Sequence, residues 1–215
     1  MRKLADPILD LRYLLERGYP RESAVNFVSN HYRLPLHERH LLSRCVFSKR
    51  ESSEHMRKKV RIEHLRGRTL GVDGYNVLIT AENVISGKTV IKCDDGFIRD
   101  LSATFGKYRM SAATKRGLRE VLRIIRRSGA REVFILFDRQ VSRSGDLALM
   151  TEKMMRKFSV PGHAMTAGAV DFLLKEFQVV ATSDSAIIKS SRAVWDIPAE
   201  MRIRRNRIFD LTKIR

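Results

Sequence analysis

The sequence predicts an α/β fold: a parallel sheet with helices on both faces, preceded by a small N-terminal domain of three helices. Three short apolar runs are typical of strands that are buried on both faces of a parallel sheet. The runs, each of which ends in an aspartate, are Leu70–Asp73, Val133–Asp138 and Val179–Asp184. Helical patterns lie between them, and strands that alternate with helices indicate parallel strands joined by helical connections.

Residues 1–48 are predicted to form the helical domain. Apolar residues recur at helical spacing, and Gly18 and Pro35 divide the segment into helices joined by short turns. A unit of this size is compatible with a helix-turn-helix-like binder in which Arg39 and Arg44 contact phosphates. It is equally compatible with a helical cap that packs on the main domain, and the sequence does not separate the two interpretations.

Residues 49–68 are polar and dense in charge, which is typical of a basic linker or an exposed helix. The main α/β domain is expected to cover residues 69–215. Its other expected elements are a helix over about 112–127, a helix over 144–158, a strand near 163–166, a helix through 171–174, a strand at 194–197 and a strand at 207–211.

The chain is strongly basic, with 42 Lys and Arg residues against 24 Asp and Glu residues and a net charge of +18. This excess favours a polyanionic partner, such as a nucleic acid. No run reaches the roughly 18 apolar residues of a membrane span, and residues 1–7 lack the apolar stretch of a signal peptide. We therefore expect a cytoplasmic protein without a membrane partner. Cys45 and Cys93 are expected to be small core residues rather than a disulfide framework or a zinc site.

The aspartates that end the three apolar runs are Asp73, Asp138 and Asp184. Ligands of open α/β sheets bind beyond the carboxyl ends of the strands, so these carboxylates should converge at one edge. Asp171 opens a short apolar helix just before the third run and is a fourth candidate. Clustered carboxylates repel one another, and a cation would hold them together. Mg²⁺ or Mn²⁺ suits such a site, because these hard ions prefer oxygen ligands and no Cys or His is offered.

Polar residues next to these acids form a supporting set. Asn76 follows Asp73 closely and can bond to a carboxylate or a phosphate oxygen. Every one of these acids also has a plain structural interpretation as a turn residue or a helix cap. The remaining candidates, in a second tier, are Asp94, Asp95, Asp100, Ser142, Ser144, Thr182 and Ser183. For Ser144, capping of the helix that follows is the competing interpretation.

Basic residues around the expected helix at 112–127 are the candidates for contacts with RNA phosphates. They are Lys115, Arg116, Arg119, Arg123, Arg126 and Arg127, together with Arg39 and Arg44 of the N-terminal helices. A charged surface of this kind is the expectation for a protein that grips a phosphate backbone.

The acidic motifs resemble those of the PIN-like nucleases, especially their NYN branch. The matching segments within 69–197 are Val72–Asn76, Leu136–Asp138, Asp171 at the start of a late helix, and Ala181–Asp184. With the N-terminal helices and residues 94–100 and 142–145, nearly the whole chain resembles a largely archaeal PIN-like family. The resemblance implies a PIN-like α/β/α fold, metal-dependent cleavage of RNA and a possible homodimer.

The resemblance also implies particular roles: Asp73, Asp138, Asp171 and Asp184 as catalytic metal ligands, with Asn76 in support. The leading hypothesis is therefore an Mg²⁺- or Mn²⁺-dependent ribonuclease, in which two such ions activate a water molecule and stabilise the leaving oxygen. The alternative is a non-catalytic PIN-like protein that binds RNA or associates with the ribosome. A phosphatase of small molecules is less favoured, since no second acid lies two residues after Asp73.

Overall fold

The computed structural model describes residues 4–102 and 108–214. The strands, in chain order, are β1 (Lys59–Val60), β2 (Thr69–Asp73), β3 (Val90–Lys92), β4 (Ile98–Arg99), β5 (Glu132–Asp138), β6 (Gly162–Ala167), β7 (Val179–Ala181), β8 (Val194–Trp195) and β9 (Ile208–Asp210). The helices are α1 (Ala5–Glu16), α2 (Arg21–His31), α3 (Leu36–Cys45), α4 (Lys49–Lys58), α5 (Gly74–Ile85), α6 (Ala112–Ser128), α7 (Ser144–Lys157), α8 (Val170–Leu174) and α9 (Ser185–Ser190). Within these described ranges, no helix has both the length and the apolar character needed to cross a bilayer.

The main sheet has six parallel strands in the order β1-β8-β7-β2-β5-β6. β2 lies between β7 and β5, and the chain reaches β7 only after crossing back from β6 at the far edge. The change of direction therefore falls between β2 and β7, and such switch points are where α/β folds bind ligands. The predicted α/β class is confirmed, with helices on both faces of a parallel sheet.

The two faces of this sheet bury alternate side chains, which explains why its strands read as unbroken apolar runs. On β5, Val133, Ile135 and Phe137 belong to the large core that includes residues of α5, α6 and α7. The intervening Phe134 and Leu136 pack with residues of α8 and α9 on the other face. A strand covered on both faces has no position left for a polar residue until it ends.

Helix α5 is an element that we did not expect from the sequence. Its start is set by Asp73, whose side chain accepts a hydrogen bond from the Asn76 N–H. Gly74 is required at the first position, because a Cβ there would lie 2.6 Å from the Phe137 ring and 2.7 Å from the Leu136 carbonyl oxygen. Val77 and Ala81, four residues apart, are buried on the inner face of α5. This spacing is the sequence feature that predicts a helix here.

The N-terminal helices pack on a second, three-stranded sheet of order β4-β3-β9. Leu11, Leu42 and Cys45 share a core with Ile91 and Leu211. The interpretation of residues 1–48 as a helical cap on the main domain matches this packing. Both cysteines are buried.

Residues 49–68, expected to be a basic linker or an exposed helix, contain regular structure that joins the two parts. Ser48 and Glu51 form a reciprocal capping box at the start of α4. β1 then pairs with β8 and supplies the edge strand of the main sheet. The segment is thus part of the fold rather than a loose connection.

Two of the second-tier acids stabilise the fold instead of joining a site. Asp94 pairs with Arg12, which also donates to the Leu211 and Ile214 carbonyls and so fastens α1 to the C-terminal segment. Asp95 is fully buried and accepts two hydrogen bonds of 2.7 Å from the Arg99 guanidinium. Its Oδ2 lies 2.8 Å from Nδ1 of the buried His55.

Electrostatics keep Asp95 ionised in this environment. Burial by itself would raise the pKa of Asp95, but the adjacent Arg99 guanidinium and the His55 ring hold it at about 2. The buried ion pair therefore depends on both of its members, because either charge alone would be buried without compensation.

We expect Asp95→Ala to lower the free energy of unfolding by about 3–5 kcal/mol, since it leaves the buried Arg99 unpaired. Urea denaturation near neutral pH measures this change. The double variant Asp95→Ala/Arg99→Met should be less destabilised. The control Glu54→Ala removes a surface ion pair with Arg50 and should change stability little. A loss for Asp95→Ala as small as that for Glu54→Ala would contradict the structural role.

Candidate functional site

A cavity of about 350 Å³ lies beyond the carboxyl ends of β2, β5 and β7. Five aspartates, which come from different elements, line it. They are Asp73 at the end of β2, Asp100 after β4, Asp138 at the end of β5, Asp171 in α8 and Asp184 before α9. The structure thus places the four aspartates predicted as metal ligands around one cavity. Of the second-tier acids, it adds Asp100 and leaves out Asp94 and Asp95.

Asp73 lies at the centre of the sheet edge, where it is partly buried. The Thr182 hydroxyl donates to its Oδ2 at 2.9 Å, and the Asn76 N–H donates to its Oδ1 at 3.4 Å. The pKa of Asp73 is raised to about 7, chiefly by burial and also by the charges of Asp184 and Asp171, against the opposing effect of these hydrogen bonds. A carboxyl group with this pKa is poised to take or release a proton near neutral pH.

Asn76 connects the turn after β2 with the turn after β7. Its side-chain oxygen accepts hydrogen bonds from the Ser183 N–H at 2.8 Å and from the Ser183 hydroxyl at 2.9 Å. The neighbouring Thr182 hydroxyl, which donates to Asp73, accepts from the Asp184 N–H at 3.1 Å. Thr182 and Ser183 therefore position Asp73 and Asn76.

Asp138 and Asp184 each combine a place in the cavity with a structural role. Oδ1 of Asp184 accepts from the N–H groups of Ala186 and Ile187 at the start of α9. Oδ1 of Asp138 accepts from the Gln140 N–H at 2.8 Å. Because these caps use one oxygen of each carboxylate, the helix-cap interpretation and the ligand interpretation do not exclude each other.

Asp100 and Arg44 bring a further part of the chain to the cavity. The buried Asp100 accepts hydrogen bonds from the Thr80 hydroxyl at 3.0 Å and the Ser102 N–H at 2.7 Å. Arg44, on α3, donates to the Asp100 carbonyl at 3.2 Å. Among the described residues that line the cavity, Arg44 is the one cationic side chain. The N-terminal helices thus contribute a guanidinium to a site formed mainly by the sheet.

The carboxylates surround the cavity without meeting at one point. Burial raises the pKa of Asp171, and so do the charges of Asp184 and Asp138, so the acids are close enough to repel one another. Within residues 4–102 and 108–214, however, no three His, Cys, Asp or Glu side chains are grouped tightly enough to hold a metal ion. The donors are all oxygen atoms, which suits Mg²⁺ or Mn²⁺ better than Zn²⁺. An ion at this site would require the side chains to move inward.

The Ser142–Gly145 loop lies beside the acidic cavity rather than in it. Ser142 lines an adjoining cavity with Tyr75 and Tyr108. Ser144 begins α7, and its hydroxyl lies 3.5 Å from the Arg139 carbonyl instead of capping the helix. The two tyrosines line both cavities, and sequence reasoning missed them because their role comes only from packing. The Tyr75 hydroxyl is buried and has no hydrogen-bond partner in the described part of the chain.

The predicted RNA-binding residues fall into three groups. The six basic residues of α6 are all exposed. Arg44 lies at the acidic cavity. Arg39 instead donates to the Leu34 carbonyl at 2.8 Å and to Oδ1 of Asn30 at 2.9 Å. Its guanidinium stabilises the turn between α2 and α3, so Arg39 has a structural role and its phosphate contact stays a prediction.

Comparison with known proteins divides the chain at the end of α4. Residues 62–200 match the family described as "Domain of unknown function (DUF5616)". The chain belongs to this family. Residues 3–58 match a second description, "Protein of unknown function (DUF434)". An uncharacterized protein of Methanocaldococcus jannaschii is 38% identical over 193 residues, which cover 89% of this chain and 92% of that protein. No solved structure matches the chain.

The DUF5616 segment contains all five cavity aspartates, while Arg44 comes from the DUF434 segment. The cavity is therefore lined from both family regions. Neither description names an activity, so the resemblance to the PIN-like nucleases stays a prediction.

Asp73→Asn should raise the free energy of unfolding at high pH when no divalent metal is present. The pKa of Asp73 is about 7 in the folded protein, above the usual 3.8. The unfolded chain therefore loses this proton at a lower pH than the folded protein does. The stability of the wild type therefore falls as the pH rises from about 4 to about 7. Asparagine does not titrate, so its advantage should grow by about 2–3 kcal/mol between about pH 5 and pH 8.

Urea denaturation of both proteins at the two pH values measures this difference. An advantage of Asp73→Asn that is the same at both pH values would contradict the raised pKa.

Proposed function

We propose that this protein is a divalent-metal-dependent ribonuclease that cleaves RNA phosphodiester bonds at the acidic cavity. The observation that carries the proposal is that Asp73 and Asp138, which end β2 and β5, line one cavity with Asp184, which follows the adjacent β7. Asp171 and Asp100 complete its acidic wall. An acidic pocket in a chain of net charge +18 is unusual unless the pocket binds cations and the remaining surface binds a polyanion. The resemblance of the acidic motifs to PIN-like nucleases supports the same function.

In this proposal, Asp73, Asp138, Asp171 and Asp184 would hold Mg²⁺ or Mn²⁺. Such an ion would supply activation of a water molecule and stabilisation of the charge on the leaving oxygen. The partly buried Asp73 would give up its proton on binding a cation, because the positive charge would offset its desolvation. Asn76 and Thr182 keep Asp73 aligned with the neighbouring turn.

Arg44 has a separate role in the proposal. Its guanidinium, which lines the cavity, would bind a non-bridging oxygen of the scissile phosphate by a charge-assisted hydrogen bond. The repulsion between a phosphate and five aspartates would otherwise oppose binding of the substrate.

We place this activity in the cytoplasm, where unpaired thiols such as Cys45 and Cys93 stay reduced.

One observation favours a second candidate, a non-catalytic PIN-like protein that binds RNA or associates with the ribosome. In the described residues the carboxylates line the cavity without forming a group of three that could hold a metal ion. If the side chains keep this arrangement in solution, the basic surface still binds RNA but no cation assembles the acids. Metal binding therefore separates the two functions.

We expect Asp184→Asn to abolish cleavage of RNA, because it removes a charged metal ligand, while binding of RNA is unchanged or tighter. Asp73→Asn should behave in the same way. Cleavage of a labelled RNA with Mn²⁺ or Mg²⁺ measures the activity, and Asp6→Asn, an exposed aspartate of α1, is the matched control. Full cleavage by purified Asp184→Asn would exclude the proposed mechanism.

Titration of the wild type with Mn²⁺, followed by calorimetry, tests the metal site independently of the substrate. Binding that is lost in Asp73→Asn and Asp184→Asn but kept in Asp6→Asn supports the nuclease. Binding of RNA without any binding of Mn²⁺ or Mg²⁺ favours the non-catalytic candidate.

Arg44→Gln should lower kcat/KM for cleavage by about tenfold or more, the effect of losing roughly 1.4 kcal/mol of interaction with the phosphate. The expected result for the exposed Arg33→Gln is an unchanged rate. Thermal denaturation shows whether Arg44→Gln still folds, and a folded Arg44→Gln with the wild-type kcat/KM would exclude the phosphate contact.

A further inference from the structure

A cleft of about 570 Å³ lies beside α6, away from the acidic cavity. Its walls are the end of α5, one side of α6 and the segment 201–207. Six arginines line it: Arg116, Arg119, Arg123, Arg202, Arg204 and Arg207. The acidic residue among its described lining is Glu120, whose carboxylate lies 3.5 Å from Arg123. The cleft therefore holds a large excess of positive charge.

Such a concentration of guanidinium groups is unfavourable in the protein alone. Like charges at short range repel, and in this cleft one carboxylate opposes six cations. An anion with several charges at regular intervals removes this repulsion. Guanidinium groups also match phosphate oxygens with paired hydrogen bonds, so arginine rather than lysine indicates recognition of phosphate.

A second basic cleft, of about 740 Å³, lies on the other side of α6. Lys115, Lys153 and Lys157 line it, with Asp146 as the acidic residue among its described lining. Arg119 and Arg123 line both clefts and so stand on the ridge between them. The two clefts form one basic band across α6, from the segment 201–207 to α7.

No described residue of this band belongs to the lining of the acidic cavity. The two surfaces can thus be altered separately. The C-terminal arginines of the band also lie beyond the DUF5616 match, which ends at residue 200.

We propose that this band is an exosite that binds the sugar-phosphate backbone of RNA. It contacts nucleotides that lie at a distance from the acidic cavity. The choice of RNA as the ligand rests on the proposed function. The contacts are to phosphates, so binding is independent of base sequence and strongly dependent on salt. The substrate is therefore a long RNA that spans the band and the cavity together, rather than a dinucleotide.

The shape of the band favours a nucleic acid over an anionic membrane. The arginines line a concave cleft, which a flexible phosphate backbone can enter and a flat lipid surface cannot.

The test is the triple variant Arg202→Gln/Arg204→Gln/Arg207→Gln, compared with Arg57→Gln/Arg61→Gln/Arg192→Gln. Both variants lose three exposed arginines, but the second set lies outside both clefts. Fluorescence anisotropy with an unstructured RNA of about 30 nucleotides, without divalent metal, gives the affinity between about 50 and 200 mM salt.

The cleft variant should bind RNA at least about tenfold more weakly at the lower salt concentration. The slope of the logarithm of the binding constant against the logarithm of the salt concentration should become shallower by about 2, which is close to 0.7 for each phosphate contact removed. The control should keep the slope and affinity of the wild type. Arg116→Gln, which changes the α6 wall of the same cleft, should lower the slope by roughly 0.7.

Several outcomes would overturn the exosite. One is a cleft variant that binds RNA with the affinity of the wild type. Another is an equal loss of RNA affinity in both triple variants, since it would mean that net charge alone sets the affinity. Binding of the wild type to vesicles of phosphatidylglycerol and phosphatidylcholine, without binding to RNA, would assign the band to a membrane instead.

The exosite and the nuclease can fail separately. If the cleft variant loses RNA affinity while the wild type never cleaves RNA, the exosite stands and the proposed ribonuclease falls. If both hold, the cleft variant should cleave the long RNA with a raised KM and the wild-type kcat, since the band does not touch the reacting phosphate.

Discussion

The hydrogen bonds between the turn after β2 and the turn after β7 are the constraint on which the candidate site depends. Asn76 accepts two bonds from Ser183, and Thr182 donates to Asp73. These bonds cross the point where the strand order reverses, so they hold the ends of two strands that are far apart in sequence. Because the Thr182 hydroxyl donates to the partly buried Asp73, it also lowers the cost of placing a carboxylate at the centre of the sheet edge.

An aspartate at the end of a parallel strand is not by itself evidence of a site, as Asp196 illustrates. It follows β8 at the same edge of the sheet, yet its carboxylate bonds to Lys59 at 2.8 Å and to the Ile98 N–H at 3.0 Å. A neighbouring lysine thus compensates Asp196. Asp73 has hydroxyl and amide donors but, within residues 4–102 and 108–214, no such cation, which leaves its charge for a ligand to balance. The difference between a structural and a functional acid lies in the partner that the fold supplies.

The two family regions are joined by electrostatic contacts as well as by a shared core. Arg12 on α1 pairs with Asp94 near β3, and His55 on α4 contacts Asp95. Arg44 then extends the N-terminal region to the acidic cavity. These contacts suggest why the helical region accompanies the α/β region in one chain: it completes the walls and the charge balance of a cavity that the sheet begins.

The sequence by itself determined the buried strands, the parallel sheet and the shared edge of Asp73, Asp138 and Asp184. Hydrophobic runs and chain connectivity are local properties, and they limit where a strand can end. Only the tertiary structure separated Asp100 from Asp94 and Asp95, placed Arg44 rather than Arg39 at the acidic cavity and gathered the arginines of α6 and the segment 201–207 into one cleft. Each of these outcomes depends on which side chains from distant parts of the chain become neighbours, and a polar residue carries no local signal of the partner that will neutralise it.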